Sequence, residues 1–169
     1  MSEWWKPSKV EDIEAKPWLN ADATAYLEKL LEPGMRVLEH GCGGSTLWFA
    51  ERVKSVLALD NDLDFAAAIR VRCPKNAKVM SFSVPLPKSV KAPFDLALID
   101  GTPNEERTWF IEHAFELVKP GGIFILDNFN RPEYEKERKA LEALCRHIDI
   151  RYAGGMYLNT EFFFIPEAK

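Results

Sequence analysis

Short apolar runs rich in β-branched residues recur along the chain: MRVLEH (35–40), SVLALD (55–60), AKVMSF (77–82), FDLALID (94–100) and a GIFILD run ending at Asp127. Each is apolar at successive rather than alternate positions, the pattern of a strand buried on both faces of a parallel sheet. Stretches of helical period lie between them: STLWFAERV after the first run, DLDFAAAIRVRC after the second and NEERTWFIEHAFELV after the fourth. In the last of these, Trp109, Phe110, His113, Ala114 and Leu117 predict one apolar face, with His113 as a packed core histidine. Strand and helix alternate, so the fold class is α/β with a mainly parallel sheet. Upstream, NADATAYLEKLLEPG predicts a helix capped by Asn20 and ended before Gly34, and downstream RPEYEKERKALEALCRH predicts another with Pro132 in its first turn. The closing IDIRYAGGMYLNTEFFFIP reads as two β-rich runs around Gly154 and Gly155, a hairpin joined to the sheet edge where the order turns antiparallel.

Composition narrows the class. The chain has 169 residues, 47% hydrophobic and 28% charged, which suits one globular domain over 1–169 with residues 1–19 as an N-terminal extension. No run approaches the ~20 apolar residues of a membrane span, and the N-terminus is too polar and too interrupted by proline for a signal peptide. Cys42, Cys73 and Cys145 are odd in number and widely spaced, which predicts free thiols in a reducing compartment. The expectation is a soluble, cytoplasmic protein with no membrane partner. A formal charge of −4 argues against nucleic acid as a partner.

The stretch VLEHGCGGSTLWFA (37–50) places Gly41, Gly43 and Gly44 at a strand-to-helix turn, where backbone can approach a ligand and the helix start offers free N–H groups. A dinucleotide fingerprint needs a third glycine where Thr46 stands, so that template fails. An acid followed by x-G-x-G fits instead, with Glu39, Gly41 and Gly43. Joined to the acid ending LALDND, to PFDLALIDG and to LVKPGGIFILDN, this run resembles the class I S-adenosylmethionine-dependent methyltransferases over about residues 20 to 165. That resemblance implies a Rossmann-like, doubly wound, seven-stranded sheet whose last strand is antiparallel. It implies S-adenosylmethionine as cofactor, with Glu39, Gly41, Gly43, Gly44 and Ser45 facing its methionine end, Asp60 accepting the ribose hydroxyls, and Ser83 beside adenine. Asp100 borders the same pocket. Ser45 stands where the family usually carries a third glycine.

Two further acids end strands. In a parallel sheet all strand C-termini share one edge, so Asp100, Asp127 and Asn128 can converge there as hard oxygen donors for magnesium or calcium. The pattern is similar to the metal-dependent catechol O-methyltransferase type, which implies that these three residues are catalytic and hold magnesium, and that the acceptor is a hydroxyl of a small molecule. The family's lysine base falls at Pro103 here. A metal-independent methyltransferase acting on another acceptor, and a non-catalytic S-adenosylmethionine-binding or interaction module, are the competing readings. Trp4, Trp5 and Trp18 are expected to pack on the body, with a substrate lid or a homodimer contact as alternatives, while Arg131 and Tyr134 lie where they could meet substrate.

Overall fold

The apolar runs form strands β1 (Arg36–His40), β2 (Ser55–Asp60), β3 (Ala77–Ser81), β4 (Phe94–Ile99) and β5 (Val118–Asp127), followed by β6 (Arg146–Arg151) and β7 (Asn159–Phe164). The computed structural model describes residues 10–81, 86, 90–101, 104–151 and 159–168. One seven-stranded sheet runs in the order β3-β2-β1-β4-β5-β7-β6. β1 to β5 pair in parallel, and β7 is antiparallel to both β5 and β6. The order reverses between β1 and β4, and ligands of open α/β sheets bind beyond the strand C-termini at that point.

Helices cover both faces, as a sheet buried on both sides requires. On one face α1 (Ala21–Leu30) and α2 (Gly44–Ala50) bring Leu27 and Phe49 onto Val37, Leu98, Ile125 and Phe162. α3 (Leu63–Arg72) lays Ala66 and Ile69 against Ala58 and Val79. On the other face α4 (Asn104–Ala114) and α5 (Glu135–Leu144) bring Phe110, Ile111 and Leu141 onto Leu38, Ala97, Phe124 and Phe163. Asn20 caps α1 by accepting the Ala23 N–H at 2.8 Å, as its side chain predicts. Among the described residues no helix is long and apolar enough to cross a membrane, and Cys42, Cys73 and Cys145 are free thiols.

Three expectations change. The buried face of α4 carries Arg107, Phe110, Ile111 and Ala114, at i, i+3, i+4 and i+7, so His113 is exposed rather than packed in the core. Its ring lies flat on Trp109 at 4.0 Å. β5 starts before the KPGG turn: Val118 pairs with Phe94, and an irregularity between Phe94 and Leu96 absorbs the extra residues. Tyr134 is fully buried, stacked on Phe129 at 5.7 Å, and cannot meet substrate. It closes the 3-10 turn Pro132–Tyr134, which precedes α5. The closing hairpin joins the sheet beyond β5 and turns the order antiparallel, as expected, with β7 between β5 and β6, while the turn holding Gly154 and Gly155 falls outside the described residues.

The described part of the N-terminal segment packs on the body through Ile13 and Leu19 rather than through Trp18. Ile13 is buried with Cys42, Ala58, Ala66, Ile69 and Val79. The Arg72 guanidinium holds the segment by donating to the Val10 and Ile13 carbonyls at 2.5 and 2.7 Å. Trp18 is 55% exposed, and Trp4 and Trp5 lie outside the described residues.

Candidate active site

β1 delivers Glu39 and His40 to the sheet edge, and the chain turns at Gly41 with φ +90°, a conformation that side chains rarely adopt. A Cβ on Gly41 would stand 2.9 Å from the Gly101 Cα. One on Gly101 would stand 2.7 Å from the His40 ring. The first turn therefore packs directly on the end of β4, with His40 stacked against Phe110 at 4.5 Å. Burial, aided by the Arg107 charge, lowers the His40 pKa to about 3, so the ring is neutral. Gly44 has a different reason to be glycine: a Cβ there would collide with the Glu14 and Lys16 carbonyls of the N-terminal segment. Gly43 faces open space.

Glu39 is 1% exposed. Its Oε2 accepts from the Thr46 hydroxyl at 2.5 Å, and that hydroxyl oxygen accepts the Gly43 N–H at 3.0 Å. Oε1 is buried with no hydrogen-bond partner among the described residues. Burial raises the pKa to about 8, opposed by the Ser45 and Thr46 hydroxyls and reinforced by the charges of Asp100 and Asp60. A buried carboxylate oxygen without a donor is costly, and a cationic amine is the group that would relieve it. Asp60 accepts the Cys42 N–H at 2.8 Å and the Asp62 N–H at 2.9 Å, which ties the glycine turn to the end of β2. Each of its oxygens keeps acceptor capacity for a hydroxyl. Ser83 lies outside the described residues.

Asp100 and Asp127 end neighbouring strands and meet, as the parallel order requires. Asp127 is buried: Oδ1 accepts from the Thr160 hydroxyl at 2.7 Å, and Oδ2 accepts from the Asn128 amide. Asn128 takes a left-handed turn (φ 55°), donates its N–H to the Asn159 carbonyl at 2.6 Å, and accepts from Arg131 at 3.1 Å. Beneath the pair Arg107, 3% exposed, donates to the carbonyls of Gly101, Asp127 and Asp100 at 2.8, 2.7 and 2.5 Å and lies 3.2 Å from Asp100 Oδ1. Burial pushes the Asp127 pKa up to about 7, with the Asp100 charge adding to it. Burial also raises Asp100, against the pull of Arg107.

Asp100, Asp127 and Asn128 are thus brought together, and Glu39 and Asp60 lie along the same edge. The sequence reading did not foresee Arg107 as the counter-ion, nor Thr160 and Asn159 as supports. The signal for Arg107 was present: a charge three and four residues before Phe110 and Ile111 on one helical face has to find a buried partner.

A family model described as a methyltransferase domain matches residues 38–129, the span that runs from just before Glu39 to just past Asn128. An uncharacterized methyltransferase of Synechocystis sp. is 32% identical over 114 residues, 63% of this chain and 53% of that protein. The chain therefore spans about half the length of that relative. The ribosomal RNA large subunit methyltransferase E of Sorangium cellulosum is 26% identical over 182 residues, 95% of this chain and 84% of that protein. Among solved structures, a methyltransferase from Pyrococcus furiosus superposes with TM-score 0.62 at 19% identity, covering 86% of this chain and 82% of that one. An rRNA methylase from Streptococcus thermophilus gives TM-score 0.64 at 15% identity, covering 85% and 93%. At these identities the superpositions show a shared fold.

Proposed function

The chain belongs to the methyltransferase domain family, and on that premise we propose that it transfers the methyl group of S-adenosylmethionine, the family's cofactor, to a hydroxyl of a small molecule. The observation that carries this reading is the meeting of Asp100 with Asp127 at the edge that also holds the Glu39 oxygen left without a partner among the described residues. The residues present fit the cofactor: Glu39 would take the ammonium of its methionine end, the backbone from Gly41 to Ser45 would border that end, and Asp60 would accept the ribose hydroxyls. Asp100, between turn and acceptor, borders both, and Ser83 is assigned to the adenine end.

With no metal at the edge, the acceptor hydroxyl would donate to whichever of Asp100 and Asp127 is ionised. When bound, S-adenosylmethionine would supply a methyl group on a sulfonium leaving group, and the carboxylate would keep the proton given up by the acceptor hydroxyl. Bringing oxygen and methyl into line is the main service such a site renders.

Two carboxylates and an amide oxygen suit a hard cation, so Asp100, Asp127 and Asn128 would hold magnesium once the Asn128 oxygen gives up its hydrogen bond from Arg131. Bound there, the ion would acidify a coordinated hydroxyl. A second reading is metal-independent transfer to another acceptor, favoured by Arg107, whose charge acts on both carboxylates, and by Arg131, whose charge acts on Asp100. A homodimer that covers exposed Trp18 is a separate proposal, checked by light scattering.

The test is transfer of labelled methyl from S-adenosylmethionine to vicinal diols, catechols and ribosomal RNA, with magnesium or a chelator, by wild type and Asp127→Ala. Transfer to a diol or catechol, lost in Asp127→Ala, supports the proposal, and loss with chelator assigns the metal. Transfer to RNA alone, or cofactor binding with no transfer to any acceptor, overturns it.

A further inference from the structure

We propose that Glu142, His147 and Glu161 form a second, divalent-cation site of the zinc class, apart from the methyl-transfer edge. Glu142 lies near the end of α5, His147 in β6 and Glu161 in β7. Each offers one ligand atom, and the three atoms lie within 4.8 Å of one another. The His147 Nε2 stands 3.9 Å from Glu142 Oε1. Around a tetrahedral ion with bonds of about 2.0–2.1 Å, ligand atoms are about 3.4 Å apart. The set thus needs to contract by at most about 1.4 Å, within reach of two side chains that are each 36% exposed.

Glu161 supplies the independent sign of a missing partner. It is 2% exposed, and its Oε2 is buried with no hydrogen-bond donor among the described residues, while Oε1 accepts from Asn159 at 2.9 Å. Arg138 on α5 places positive charge toward Glu161, yet that oxygen remains without a donor. Burying a carboxylate oxygen unpaired is expensive, and a cation removes the cost. The His147 ring is held flat on Phe163, 5.6 Å between centroids, which leaves its edge for coordination. One imidazole nitrogen with two carboxylate oxygens suits zinc better than magnesium or calcium, which prefer oxygen alone.

The site has a structural consequence. Asn159 donates to both Glu161 Oε1 and Asp149 Oδ1, and it accepts the N–H groups of Asn128 and Asn130 through its carbonyl and side-chain oxygens. An ion on Glu161 therefore clips α5 to the β6–β7 hairpin and steadies the residue that shapes the Asn128 turn.

The test is calorimetric titration of full-length protein with Zn2+ in a saturating background of Mg2+, which would fill the Asp100–Asp127 edge, with the melting temperature followed in parallel. Wild type is expected to take one ion and to melt higher with it. His147→Ala and Glu142→Gln, both at half-exposed positions that the fold tolerates, are expected to weaken binding at least about tenfold and to lose the rise in melting temperature. Asp127→Asn is expected to bind zinc as wild type does, which keeps this result separate from the proposed methyl transfer. No zinc uptake overturns the proposal. So does uptake that His147→Ala and Glu142→Gln leave unchanged, which would place the ion elsewhere on the chain, or uptake that Asp127→Asn abolishes.

Discussion

Binding of S-adenosylmethionine should release a proton from Glu39. Its carboxyl is raised to about 8 by burial, so at pH 7 about nine tenths of it is protonated. A cofactor ammonium needs the ionised form, and each unit between pH and pKa costs about 1.4 kcal/mol of binding free energy. Affinity should therefore rise close to tenfold from pH 6 to pH 7, flattening as pH approaches 8. At pH 7 the complex should shed close to one proton, measured as the dependence of calorimetric heat on the ionisation enthalpy of the buffer. Glu39→Gln should abolish both the proton release and the pH slope. It should also weaken binding near pH 8 by about 1.5–3 kcal/mol, the usual worth of a charge-assisted hydrogen bond. Equal heats in two buffers, or a wild-type pH slope in the Glu39→Gln variant, would refute the assignment of Glu39 to the amine.

Arg107→Met should cost about 3–5 kcal/mol in urea unfolding, because it leaves Asp100 without its buried partner; a loss under about 1 kcal/mol would mean that the two carboxyls share a proton instead. His40, lowered to about 3, is neutral in the fold and charged in the unfolded chain at acid pH. Its contribution is full above about pH 6.5 and is lost as pH falls toward 3, at about 1.4 kcal/mol per unit. The stability of His40→Phe should fall less steeply than wild type between pH 6 and pH 4.5, and parallel curves would contradict the buried neutral ring. Gly44→Ala should drive the Glu14 and Lys16 carbonyls outward and speed hydrogen exchange over residues 10–16, with exchange equal to wild type counting against that packing.

The strands were legible because a run apolar on both faces has few places to go except the middle of a parallel sheet. Asp100, Asp127 and Asn128 could be brought together from topology alone, since parallel strands end on one edge. What lay beyond reading was which side chains answer them. Arg107 reaches Asp100 from α4, and Thr160 reaches Asp127 across β7, contacts set by packing rather than by local pattern. The α4 face was misassigned because TWFIEHAFEL offers apolar residues on two overlapping stripes, and only the packed one shows that Ile111 is buried and His113 is not. The insertion of β7 between β5 and β6 was likewise hidden, because both hairpin runs have the composition of a strand and either could pair with β5.

The most direct test of the central claim is titration of S-adenosylhomocysteine into wild type and Gly41→Val, whose side chain would fill the approach between the first turn and Gly101. The account predicts one site in the wild type, lost in Gly41→Val while Asp127→Ala retains it. No binding by wild type, or binding that Gly41→Val leaves untouched, would contradict a methyl donor at this edge of the sheet.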